Sequence, residues 1–232
     1  MKLSGIKKNL GNFSLCIDNL EITKPGIYGI IGPNGCGKST LAKIITGLMK
    51  PDCGIVDTEG PRDITFLSRK PYMMDDTVYN NLVYPLKLRG ITPNQDFIKE
   101  FSKCAFNQDA LMQGAKSLSG GEQQKLSFLR ATIFKPRFII ADEAMTAMDM
   151  DSLDFFEKTI VKEQKNENST WIIISHQMPH IRRICEYLYF MYNGKIETEG
   201  SVKEIFSMSD NLNLKNYLRA YDSWEHHETF NS

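Results

Sequence analysis

Ile27-Tyr28-Gly29-Ile30-Ile31-Gly32-Pro33-Asn34-Gly35-Cys36-Gly37-Lys38-Ser39-Thr40 reads as a short apolar strand running into a glycine-rich loop. Gly32 to Ser39 fits G-x-x-x-x-G-K-[ST] at every fixed position. Glycines let the backbone turn its N–H groups inward around phosphates, and the helix that begins near Ser39 adds the positive end of its dipole. In such a loop Lys38 reaches the β and γ phosphates and Ser39 ligates Mg²⁺. The candidate phosphate contacts are therefore Gly32, Pro33, Asn34, Gly35, Cys36, Gly37, Lys38, Ser39 and Thr40. Thr40 to Met49 has helical apolar spacing and is closed by Gly47 and Pro51. Strand, loop and helix follow in the order a phosphate site requires. Cys36, among loop N–H groups and beside a helix N-terminus, is expected to carry a favoured thiolate that bound nucleotide shields from thiol reagents.

Upstream, Phe13, Leu15, Ile17, Leu20 and Ile22 alternate in part before the Pro25-Gly26 turn, a β-rich lead-in. Downstream, Phe138 to Ala141 and Trp171 to Ile174 are short apolar runs with polar flanks, separated by the helical pattern of Leu153 to Gln164. They read as buried parallel strands of a βαβ arrangement. Residues 78 to 115 lack strand alternation, and a further helical stretch covers Glu122 to Phe134. The core sheet is thus interrupted by a helical insertion of about 78–130. Leu214, Tyr217, Leu218 and Tyr221 share one face of a short helix, expected to pack on the domain.

The 232 residues suit one α/β domain. Lys plus Arg and Asp plus Glu number 28 each, so nothing in the net charge points to nucleic acid or anionic lipid. The five cysteines, Cys16, Cys36, Cys53, Cys104 and Cys185, are scattered without a C-x-x-C pair, against a disulfide framework or a zinc site and in keeping with a reducing cytoplasm. No signal segment is expected, and the apolar runs fall far short of the ~20 residues of a spanning helix.

Phe138 to Ala141 ends in Asp142 and Glu143. Beside a phosphate loop, Asp142 is the expected Mg²⁺ partner and Glu143 the expected base toward an attacking water. Leu118-Ser119-Gly120-Gly121-Glu122-Gln123-Gln124-Lys125 then sets two glycines at the start of a helix, a second anion-binding end with no use in a monomer that already owns a phosphate loop. This element resembles the LSGGQ signature of ABC ATPases, and the resemblance runs from Leu3 to about Phe206. It implies an α/β fold, a P-loop NTPase core with mixed or parallel sheet, an N-terminal antiparallel β-subdomain and an inserted helical subdomain, all in a single domain 1–232. It also implies that Ser119, Gly120 and Gly121 close over the γ phosphate held by a second copy in a head-to-tail dimer. Thr146-Ala147-Met148-Asp149 resembles the D-loop, and His176, after the strand, resembles the switch histidine that contacts the γ phosphate.

Three positions depart from the family. Leu10 stands where an aromatic ring usually meets adenine, so stacking is lost or passes to Phe13. Ala144 replaces the proline after the acids. Arg69 stands at the Q-loop glutamine, with Ser68 as the alternative alignment. Arginine has no acceptor and cannot ligate metal, so a water takes that place on Mg²⁺. Arg69 is expected to pair with a γ-phosphate oxygen, or else with an acid of a membrane partner. The resemblance implies an ATP- and Mg²⁺-dependent subunit, peripheral at the cytoplasmic membrane face. Its partners are transmembrane permease subunits, a second ATPase subunit and, in an importer, a solute-binding protein, with no nucleic acid. Import of a small solute, for instance an oxyanion such as tungstate, is the leading reading. An exporter subunit or an iron-sulfur assembly ATPase is the alternative. Tyr72, Met73 and Met74 are candidates for a partner-helix groove or for the core.

Overall fold

The computed structural model describes residues 1–58, 63–145, 148, 150–207 and 210–228. It divides into two units, Met1–Pro61 with Thr170–Ser232, and Arg62–Ser169. The first begins with β1 (Lys2–Leu10) and β2 (Phe13–Glu21), antiparallel with Leu10 opposite Phe13 and Gly11 taking the positive φ of the turn. Leu3, Ile6, Leu15, Ile17 and Leu20 from these strands are all buried. The β-rich lead-in is thus an antiparallel sheet, to which β4 (Cys53–Asp57) adds on the β1 side. Between them come β3 (Ile27–Ile31), with the expected limits, and α1 (Lys38–Ile45). The helix starts two residues before the expected Thr40 and stops well before Met49. Gly47, at φ 73, donates to Ile44 O at 3.1 Å while Met49 N reaches back to Lys43 O at 3.0 Å, so the expected closure at Gly47 is a left-handed glycine stop that comes before the apolar spacing ends.

The second unit holds β5 (Ile64–Ser68), α2 (Val78–Lys87), α3 (Gln95–Ser102), α4 (Gly120–Thr132), β6 (Phe138–Asp142) and α5 (Met150–Glu167). The segment between β5 and β6 is helical as expected. Thr77 caps α2 by accepting from Asn80 N at 3.1 Å, and Ser119 caps α4 in a capping box with Glu122. β5 and β6 run parallel, Ile64 opposite Phe138 and Ser68 opposite Asp142.

The chain then returns to the first unit with β7 (Thr170–Ile174), α6 (Met178–Ile184), β8 (Tyr187–Tyr192), β9 (Lys195–Ser201), α7 (Val202–Ser207) and α8 (Leu212–Glu228). β3 lies between β7 and β8 and is parallel to both, while β9 is antiparallel to β8. Covered on both faces, the run Trp171 to Ile174 is wholly buried, which is why it reads as continuous rather than alternating. On α8, Leu214 is buried and Tyr217 packs its ring 5.7 Å from Phe190, so the expected apolar face does pack on its unit. No helix among the described residues is long and apolar enough to cross a membrane.

Candidate functional site

The phosphate loop leaves the C-terminal end of β3, and Gly37, at φ 107, turns it into α1. Lys38 is 6% exposed; its ammonium donates to Gly32 O at 2.7 Å and Pro33 O at 3.0 Å and lies 3.9 Å from the Cys36 sulfur. The loop's own carbonyls therefore hold the cation beside the helix N-terminus. A side chain on Gly32 would start 2.1 Å from Met191 O, whereas one on Gly35 would meet nothing within 4 Å. The loop is packed hard on its sheet side and open over Gly35, as a cradle for phosphate must be.

Several residues that build this cradle are missed by the sequence reading. Asn193 and Gly194, both at positive φ, turn β8 into β9. Gly194 N donates to Cys36 O at 3.1 Å, and its carbonyl accepts from Cys16 N at 2.8 Å. The hairpin tip is thus stitched between the loop and β2. The signal was present, since Asn-Gly between strand-like runs is the favoured two-residue hairpin turn. On α8, the Tyr217 hydroxyl lies beside the Gly32 N–H; burial pushes it up to about 12 while that N–H pulls the other way. His176 follows the C-terminal end of β7, the strand next to β3. The ring of Phe13 comes within 2.9 Å of a side-chain carbon placed on Gly37, while Leu10 is 40% exposed.

The expected thiolate character of Cys36 is corrected. Its side chain is buried, and burial raises the thiol above its ordinary value despite the opposing pull of the Lys38 charge. A loop N–H lowers a thiol only where solvent or charge compensates for burial.

In the second unit the register of Ser68 opposite Asp142 brings the residues after each strand to one end of the pair. There the Arg69 guanidinium lies 3.5 Å from a Glu143 carboxylate oxygen, an ion pair that the sequence analysis does not contain. Glu143 sits in the left-handed region at φ 51. Ser68 donates from its hydroxyl to Lys70 O at 2.8 Å. Gln124 of α4 donates to Arg69 O at 2.9 Å. At the head of the same helix, Ser119 donates from its backbone at 2.9 Å and from its hydroxyl at 2.6 Å to Glu122, holding that carboxyl below the usual range. Gly120 and Gly121 form the first turn beside it. Thr146, Ala147 and Asp149 of the D-loop-like segment lie outside the described residues.

A model of the ABC transporter family matches residues 17–146, from β2 through the phosphate loop and signature to the acid pair. The chain belongs to the ABC transporter family. It is 35% identical over 208 residues to the tungstate uptake system ATP-binding protein TupC of Peptoclostridium acidaminophilum, covering 85% of this chain and 97% of that one. It is 29% identical over 219 residues to the methionine import ATP-binding protein MetN 2 of Bacillus anthracis, covering 87% of this chain and 64% of that one. Among solved structures it resembles a dimeric ATP-binding cassette in a post-hydrolysis state bound to ADP and Pi. That match has a TM-score of 0.75 and 25% identity, over 87% of this chain and 98% of that one. This ABC ATPase binds ATP and hydrolyses it to drive transport.

Proposed function

We propose that this ABC ATPase energises import of a small solute, an oxyanion such as tungstate, as a head-to-tail dimer on separate permease subunits at the cytoplasmic membrane face. The whole of 1–232 is read as one ATPase domain with 78–130 inserted. Lys38 and the N–H groups of Gly32 to Thr40 bind the phosphates, and Phe13 offers its ring to adenine in place of Leu10. Ser39 and Asp142 supply a hydroxyl and a carboxylate, the hard oxygen donors that suit Mg²⁺. When bound, that ion neutralises charge on the transferring phosphoryl group. Glu143 takes the proton of the attacking water, His176 contacts the γ phosphate, and Ser119, Gly120 and Gly121 of a second copy complete the site. A solute-binding protein delivers the cargo outside. The oxyanion reading rests on the likeness to a tungstate uptake subunit along nearly all of that subunit's length.

The observation that carries coupling to a membrane partner is a groove of about 450 Å³ in the second unit, lined by Tyr72, Met74, Tyr84, Leu88, Arg89 and Phe134 among others. Tyr72 and Leu88 are 75% and 64% exposed, whereas Met73 is buried core. Arg89 stacks 3.4 Å over the Phe134 ring, so the trough has a lining of mixed polarity with a cationic edge, which suits a short amphipathic helix carrying an acid. The chain solubilised from membranes in mild detergent is expected to co-purify with a multi-span membrane protein. Leu88→Glu, a charge in the trough, is expected to abolish this. A wild-type chain that comes out of the membrane fraction without such a partner contradicts the reading.

A further inference from the structure

We propose that α8 is a clamp on the phosphate loop and that Tyr217 is its positioning residue: the hydroxyl steadies Gly32 from behind, so that the loop keeps the shape phosphates need. The proposal rests on Gly32 to Thr40 being that loop.

Gly32 is the first residue of the loop, and three groups crowd it. A side-chain carbon there would start 2.1 Å from Met191 O and 3.1 Å from the Cys36 sulfur, and the Tyr217 hydroxyl lies beside its N–H. That hydroxyl is buried without a well-formed hydrogen bond among the described residues, and a buried phenol needs one. The Gly32 N–H is the donor beside it, so a slight movement of the loop makes or loosens the contact. The buried Cys36 thiol lies in the same packed corner.

The rest of α8 fixes where the hydroxyl stands. Its ring packs 5.7 Å from that of Phe190 on β8, and Leu214, one turn earlier, is fully buried. At the start of the helix Asn211 Oδ1 accepts from Leu214 N at 2.8 Å. The Glu197 carboxylate of β9 accepts from the side-chain amides of Asn211 at 3.1 Å and Asn213 at 3.0 Å. Glu197 stands three residues beyond Gly194, whose N–H donates to Cys36 O at 3.1 Å. The β8–β9 hairpin and α8 thus form one framework that meets the loop at both Gly32 and Cys36. A loop held in advance loses less freedom when phosphate binds, so the clamp acts on nucleotide affinity rather than on the chemical step.

The test compares the full chain as wild type, Tyr217→Phe, Tyr217→Ala, Glu197→Ala and Lys38→Ala, each checked for folding by circular dichroism. Affinities for ATP and ADP are read by calorimetry, and hydrolysis by steady-state kinetics. Without nucleotide, N-ethylmaleimide labelling of each cysteine is followed by peptide mass spectrometry. Tyr217→Phe keeps the ring and is expected to weaken ATP and ADP alike about two- to five-fold, the change that ~0.5–1 kcal/mol for one hydrogen bond converts to at about 1.4 kcal/mol per decade. KM should rise with it while kcat stays within about two-fold. Tyr217→Ala is expected to weaken both nucleotides further and to speed labelling of Cys36 about tenfold or more, because a buried thiol reacts only when its cover opens. Exposed Cys53 and Cys104 and buried Cys185 should label as in the wild type. Should Tyr217→Ala fail to fold, Glu197→Ala, which loosens only the start of α8, is expected to speed Cys36 in the same selective way. Wild-type affinity in Tyr217→Phe overturns the proposal, and so does a rise at Cys185 equal to that at Cys36, which is general loosening. A Lys38→Ala protein that binds ATP like the wild type removes the loop reading and the clamp with it. Lost binding in Lys38→Ala beside wild-type affinity in Tyr217→Phe overturns the clamp alone.

Discussion

Lys38→Ala is expected to lower ATP turnover by about a thousandfold or more. The ammonium is the buried cation of the loop, held over it by Gly32 O at 2.7 Å and Pro33 O at 3.0 Å. Two charge-assisted bonds to phosphate oxygens, at about 1.5–3 kcal/mol each, amount to roughly 3–6 kcal/mol of binding and transition-state stabilisation. Alanine also leaves the two carbonyls without their donor, at a cost of about 1–3 kcal/mol to the fold. Denaturant melts of both proteins must accompany the kinetics, so that lost catalysis is scored on folded protein. Near-normal hydrolysis by folded Lys38→Ala removes the phosphate-loop assignment.

Glu143→Gln is expected to lower kcat by about 10²- to 10⁴-fold, the usual worth of a positioned general base, while leaving nucleotide affinity nearly intact. The amide is isosteric, so the left-handed backbone at φ 51 and the end of β6 are undisturbed. With hydrolysis stopped and ATP still bound, the closed dimer has no exit and accumulates. Light scattering on the variant with Mg²⁺ and ATP should show about twice the monomer mass, and ADP in place of ATP should not. A variant that stays monomeric with saturating ATP, or that hydrolyses at the wild-type rate, contradicts the role.

The phosphate loop was legible because its fixed positions encode backbone demands: a glycine where Met191 O leaves no room, and a lysine able to reach its own loop carbonyls. β3 was legible to the residue, since a five-residue apolar run buried on both faces has no alternation to confuse. What escaped depends on partners distant in sequence. The ion pair of Arg69 with Glu143 requires Ser68 to stand opposite Asp142, a register that no local pattern records. The burial that silences the Cys36 thiolate likewise comes from tertiary packing, which motif spacing does not express. The support of Gly194 for Cys36 O joins residues far apart in the chain, although the Asn-Gly turn itself could have been read. Gly47 as the stop of α1 was legible, and only the far limit was misplaced, because apolar spacing continues through Leu48 and Met49 beyond the left-handed backbone at Gly47.

The central claim, that each ATP is hydrolysed between the phosphate loop of one copy and the signature of another, is tested most directly by mixing two inactive variants. Lys38→Ala spoils the loop and keeps the signature; Ser119→Arg spoils the signature and keeps the loop. Each alone should lack turnover. In an equal mixture half of the dimers are mixed and each carries one intact composite site, so about a quarter of wild-type activity is expected. A mixture no more active than its separate components contradicts a site shared between two copies.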